Sequence, residues 1–188
     1  TNLYNPCTME RSSSSGYLKM ENQIVQQLSD LIGWNIYDSA GVFTTGGKSC
    51  IMYAIKSGLN RCKEKTKYGH SPIVITSDIN HYSIETVCYQ LGMEKFDCIR
   101  IPSTSDGIMD FSALEKTLYE KLSNGIPIAC IIFSGGNTTD CFVEDIYKGV
   151  NIIQKVVEKS GANYCPYIYY DLVVCWPWLF FNKYDFKN

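Results

Sequence analysis

Between positions 17 and 32 the apolar residues Leu18, Ile24, Val25, Leu28, Leu31 and Ile32 return at helical spacing, and Gly33 closes the run. An amphipathic helix is expected there, behind a polar arm over 1–16 that carries a serine run at 12–15. From position 41 onward short, solidly apolar runs alternate with longer, helically spaced ones. Runs at 41–44, 72–76, 96–101, 128–133 and 167–174 predict strands. Runs at 48–61, 84–91, 111–122 and 143–159 predict helices, with Gly92 and Gly161 as stops and a turn over 105–107 leading into the third. Strands separated by helices at this rhythm make βαβ units, and strands apolar on both faces must be covered on both. The expected fold is a three-layer α/β/α sandwich around a mostly parallel sheet. Residues 1–35 form the arm and first helix, and 36–188 form the sheet domain.

Composition narrows the classes. Hydrophobic residues make up 45% and charged residues 19%, enough apolar mass for a core, which argues against disorder. Seventeen basic against nineteen acidic residues give a net charge of −2 with no basic stripe, so nucleic acid is not an expected partner. The longest apolar stretch, 167–181, is shorter than a span and contains Asp171, so no transmembrane helix is expected. Nine cysteines, an odd number with no C-x-x-C pair, read as reduced thiols of a cytosolic protein rather than a disulfide framework or a zinc site. Two histidines leave no room for a multi-histidine metal centre. With no initiator methionine and no signal pattern, the chain is expected to be a fragment or mature piece of a longer product.

Ligands of open α/β sheets bind beyond the carboxyl ends of the strands. Those positions hold Thr44 to Ser49, Ser77 to His81, Ser134 to Asp140, and Asp171. The glycine turn Gly46-Gly47 entering a helix at Lys48 suits a phosphate, because free N–H groups and the helix dipole favour an anion. A plain tight turn is the alternative, since neither G-x-x-x-x-G-K-[ST] nor G-x-G-x-x-G is met. Asp171 in an apolar strand needs a cationic or donating partner, unless it sits at a solvated strand end. His81 reads either as a structural histidine or as a ligand-facing one.

In order along the chain, these segments resemble the group II pyridoxal-phosphate-dependent amino-acid decarboxylases. The resemblance runs through Asn5-Pro6, then Gly41-Val-Phe-Thr-Thr-Gly-Gly47, then Asn80-His81-Tyr82-Ser83-Ile84 with Leu91-Gly92-Met93. It continues through Asp106-Gly-Ile-Met-Asp110 with Leu114-Glu115, Gly136-Asn-Thr-Thr139 with Glu144-Asp145-Ile146, and Tyr167-Ile-Tyr-Tyr-Asp171. It implies that 36–188 is an incomplete cofactor-binding large domain of fold-type-I architecture. It implies pyridoxal 5′-phosphate as cofactor, with Gly46, Gly47 and Lys48 at the phosphate, His81 stacked on the ring, Thr138 and Thr139 near it, Asp171 on the ring nitrogen and Val173 under the ring. His81 and Asp171 would be catalytic. It further implies an amino-acid substrate and a cytoplasmic homodimer.

Lys48, Tyr169 and Val173 depart from the family pattern, which has a small hydroxyl residue, a histidine and an alanine there. The family's cofactor-bearing lysine lies well past the aspartate. Lys183 and Lys187 lack its His-Lys context, and neither is assigned that role. Three alternatives stand beside this reading: a non-catalytic relative, another fold-type-I lyase, and a nucleotide- or phosphosugar-binding domain. The leading reading requires Asp171 and the Gly46–Gly47 bend to share one cleft.

Overall fold

The computed structural model describes residues 16–65, 70–138 and 141–181. They divide into two compact units, one holding residues 16–45 and 177–181 and the other residues 46–176. In the first, α1 (Gly16–Leu31) is the expected amphipathic helix. The expected strand at 41–44 does not form. Its backbone pairs with no strand, and Phe43 N–H instead donates to the Glu21 carboxylate on α1 at 2.8 Å. Gly41 lies so close to Val25 that a Cβ would meet its methyl at 2.9 Å, so this segment packs on a helix rather than on a ladder.

The second unit contains α2 (Gly47–Lys65), β1 (Ile73–Ser77), α3 (Ser83–Gln90), β2 (Cys98–Ile101), α4 (Phe111–Ser123), β3 (Ile128–Ser134), α5 (Ile146–Ser160) and β4 (Tyr167–Asp171). All ladders are parallel, and the four strands stand in the order β2-β1-β3-β4. β1 and β3 are buried at every residue because they are central and covered on both faces. One face packs Ile51 and Ile55 of α2 and Ile84 and Val87 of α3 against Val74, Cys130 and Ile132. The other packs Leu114 and Leu118 of α4 and Ile153 and Val156 of α5 against Ile75, Ile131 and Phe133. The three layers are therefore helices, sheet and helices. Each fully buried Ile, Leu or Phe of this kind contributes about 1.5–3 kcal/mol.

A bulge shapes the central ladder. Ile73 pairs with Ile128 but Val74 pairs with Cys130, so Ala129 is an extra residue on β3. Its carbonyl reaches toward α2 at Gly58, where an added Cβ would stand 2.2 Å from that oxygen. This close approach accounts for a glycine in mid-helix.

At three of the boundaries that differ from the sequence expectation, a polar side chain ends or starts an element. β2 begins at Cys98, since Lys95–Asp97 forms a 3₁₀ turn in which Asp97 accepts the Glu94 N–H at 2.8 Å. β4 stops at Asp171, whose Oδ1 turns back to accept Val173 N–H at 3.2 Å. α5 begins at Ile146 rather than 143, because Asp145 caps it by accepting Lys148 N–H at 2.9 Å while Val143 bridges antiparallel to Gly135. Among the described residues no helix is long and apolar enough to cross a membrane, and no cluster of His, Cys, Asp and Glu is placed to hold a metal. None of the eight described cysteines is in a disulfide.

Candidate cofactor site

The strand order puts β2 on one side of β1 and β3 on the other. That reversal opens a crevice at the carboxyl ends of β1 and β3, the place where open α/β sheets take ligands. A cleft of about 300 Å³ lies there. Gly47 and Lys48 line it from the start of α2, Asn80, His81 and Ser83 from the β1–α3 loop, and Ser134, Gly136, Asn137 and Thr138 from the end of β3. Asp171 and Val173 line it from the end of β4. One cleft thus holds both the helix start after the glycine turn and the β4 carboxylate. Thr139 lies outside the described residues, as do Asn5, Pro6, Lys183 and Lys187.

At the α2 end, Gly46 has φ of 132°, a backbone state that L side chains rarely adopt, and its carbonyl accepts Ser49 N–H at 3.0 Å. That bend delivers the first N–H groups of a 19-residue helix to the cleft, where the dipole favours negative charge. Lys48 adds a formal positive charge at this end, with its ammonium 6.0 Å from the Tyr82 ring centre.

At the opposite wall Asp171 sits directly across the ladder from Ser134. Strand alternation puts Tyr167, Tyr169 and Asp171 on the α2–α3 face and Ile168 and Tyr170 on the other. Burial, and next the Asp171 charge, push the Tyr169 phenol well above the usual range, so Tyr169 stays a neutral neighbour of that carboxylate.

His81 is fixed from two sides. Its N–H donates to Asn80 Oδ1 at 2.8 Å, Asn80 Nδ2 donates to Thr76 Oγ1 at 3.0 Å, and Thr76 Oγ1 donates to Ile132 O at 3.1 Å. Its ring Nδ1 accepts Ser83 N–H at 3.2 Å and lies 2.7 Å from Ser83 Oγ. A backbone N–H can only donate, so Nδ1 carries a lone pair and the neutral ring bears its proton on Nε2.

Behind the Ser134 wall lies Glu144, 1% exposed, whose Oε2 accepts Ser134 N–H at 2.7 Å. Burial raises its carboxyl above the ordinary range, opposed by hydrogen bonds from Ser134, Met109 and Ser77 and reinforced by the Asp78 charge. The sequence reading gave Glu144 only as part of a motif and gave no role to Ser83, Thr76 or Arg100. A charged residue inside the run Cys98-Ile99-Arg100-Ile101 is the signal that singles out Arg100.

Fold and cleft together define a parallel α/β ligand-binding domain with an anion-favouring helix start at one end of its cleft and a carboxylate at the other. The chain belongs to the pyridoxal-dependent decarboxylase family: the model of that family's conserved domain matches residues 4–165. It is 30% identical over 146 residues to glutamate decarboxylase of Drosophila melanogaster, covering 74% of this chain and 28% of that protein. It is 24% identical over 161 residues to L-2,4-diaminobutyrate decarboxylase of Acinetobacter baumannii, covering 76% and 31%. The crystal structure of mouse CSAD in apo form superposes with a TM-score of 0.71 at 21% identity, over 88% of this chain and 34% of that one, and shares its fold. The chain spans less than a third of the length of these two curated relatives.

Proposed function

We propose that this chain is the cofactor-binding portion of a pyridoxal-phosphate-dependent decarboxylase acting on an amino acid. The observation that carries the reading is the single cleft shared by the α2 start, His81 and Asp171 in a chain of this family. The donor set fits the cofactor. A phosphate suits the N–H groups after Gly46 and Gly47 and the Lys48 ammonium, a flat ring suits the His81 imidazole, and a protonated ring nitrogen suits the Asp171 carboxylate. Thr138 and Thr139 would hydrogen-bond near the ring, and Val173 would pack under it.

When bound, pyridoxal phosphate supplies a cationic ring that takes up the electron pair left as the substrate carboxylate departs as carbon dioxide. The protein's part is to hold that charge state. Asp171 would keep the proton on the ring nitrogen, anchored by its own Val173 N–H contact at 3.2 Å. His81 would hold the ring plane, its orientation set by Asn80 and Ser83. We further propose a cytoplasmic homodimer. Eight cysteines outside disulfides support a reducing compartment, and exposed aromatic side chains such as Tyr89, 80% accessible, and Phe96, 87% accessible, support association.

The test is to mix the full-length protein with pyridoxal phosphate, read its visible absorption, and measure carbon dioxide release from amino acids. A bound-cofactor band and release are expected. Asp171→Ala should abolish release while phosphate still protects the α2 start from hydrogen exchange. Full activity in that variant would remove the assignment. A non-catalytic relative is the second reading, favoured by the β-branched Val173 in the cleft wall, and it predicts no band at saturating cofactor.

A further inference from the structure

The β1–α3 loop that presents His81 is held by a residue outside the cleft. Arg100, on β2, places its Nη1 3.0 Å from Ser77 O, 3.2 Å from Asp78 O and 3.0 Å from Asn80 O. Its Nε donates to Glu85 Oε1 on α3 at 2.6 Å. One guanidinium therefore ties the end of β1, the loop and the following helix together. Nη1 has two hydrogens for three carbonyls, so at least one is shared, and the fork must sit centrally among them. The Arg100 side chain is 22% exposed, so these charge-assisted bonds are only partly open to water.

The consequence reaches the imidazole through Asn80. Arg100 fixes the carbonyl of Asn80, and the Asn80 side chain spans from Thr76 to the N–H of His81. The loop cannot slide without breaking several of these bonds together. We propose that Arg100 is the positioning residue for His81, setting through the Ser77–Asn80 carbonyls where the imidazole stands and which ring nitrogen faces the cleft. Its effect on a bound ring rests on the cofactor reading above. The placement of His81 does not.

Arginine suits this task and lysine does not. A planar fork serves the carbonyls with Nη1 while Nε holds Glu85. An ammonium is a single point charge that cannot occupy both places.

The experiment uses the full-length protein with ¹⁵N-labelled histidine. The His81 and His70 signals are assigned by their loss in His81→Gln and His70→Gln, and His70 serves as an internal reference for His81. In the cofactor-free wild type, the His81 signals should show a proton on Nε2. In Arg100→Lys they should move toward a mixture of tautomers while those of His70 stay in place. Affinity for pyridoxal phosphate should fall about 10–100-fold, taking as the scale the loss seen when a supporting contact behind a metal-ligating histidine is removed. Glu85→Ala, at a side chain 56% exposed, leaves the arginine in place and should move the His81 signals in the same direction but less. If Arg100→Lys fails to fold, Glu85→Ala decides alone. Folded variants with unchanged His81 signals overturn the proposal. A wild type that binds no cofactor sinks the cofactor reading, while the His81 signals still judge Arg100.

Discussion

Replacing Gly58 by alanine sets two physical effects against each other. Alanine is the better helix former, by about 0.5–1 kcal/mol in a helix interior. At this site, however, its Cβ would stand 2.2 Å from Ala129 O, 2.7 Å from Ala129 C and 3.2 Å from Tyr167 Cβ. The obstacle is backbone in the centre of the sheet, and it cannot swing away like a side chain. To reach ordinary contact, α2 must back off by about 1 Å, loosening Ile51 and Ile55 from the core, and overpacking of this kind costs about 1–3 kcal/mol. The net expectation is a destabilisation of about 1–2 kcal/mol, a fall in melting temperature of roughly 2–8 °C for a chain of this size. Urea unfolding followed by circular dichroism measures it, with Ser57→Ala, on the exposed side of the same turn, reading helix propensity alone. A Gly58→Ala protein as stable as the parent would refute the close-approach argument, because propensity would then have decided the outcome. Since α2 also presents Gly47 and Lys48 to the cleft, weaker cofactor binding should accompany the lost stability.

Glu144 makes stability depend on pH. The unfolded chain ionises this carboxyl in the ordinary range while burial moves its ionisation in the fold to higher pH, so the stability it contributes is full at lower pH and is lost as pH rises toward the native value. Glu144→Gln should flatten that decline, and an unchanged pH profile in chemical denaturation would contradict it. Asp110→Ala removes the cap that accepts Ser112 N–H at 2.8 Å and Ala113 N–H at 3.2 Å, and should cost about 1 kcal/mol in unfolding free energy. His81→Ala should weaken cofactor binding and activity with little change in melting temperature; a purely thermal effect would make it a structural residue.

The sandwich was legible because short, solidly apolar runs and longer runs of period 3.6 switch cleanly between the segments that became β1, β3 and the four helices around them. Burial on both faces turned 128–133 into one unbroken apolar word. The strand expected at 41–44 failed because its few apolar residues say nothing about an available ladder, and Glu21, some twenty positions upstream, took the Phe43 N–H instead. The start of α5 was misplaced because Val143 is apolar enough to continue a helical pattern, while Asp145 decides the boundary through a single cap. In the cleft, the residues after β1, β3 and β4 were readable from topology alone, whereas Gly47 and Lys48 were expected after a strand that does not form and line the cleft from a helix start instead. Arg100 was marked only by its charge inside an apolar strand; its role was not legible, because three of its acceptors are backbone carbonyls, which leave no mark in a sequence. Ser83 was quoted within a motif, but its effect on the histidine tautomer exists only once the loop is folded.

No ladder in this sheet is a hairpin. Ile73 must find Ile128, and Cys130 must find Tyr167, before either pairing is rewarded, so assembly waits on long loop closures. During that wait Ile128–Ser134, seven residues with no charge and no proline, is without its covering helices. The segment that becomes the most sheltered strand is thus the one a newly made chain most needs to keep from its neighbours, and slow synthesis at low temperature should raise the yield of folded protein.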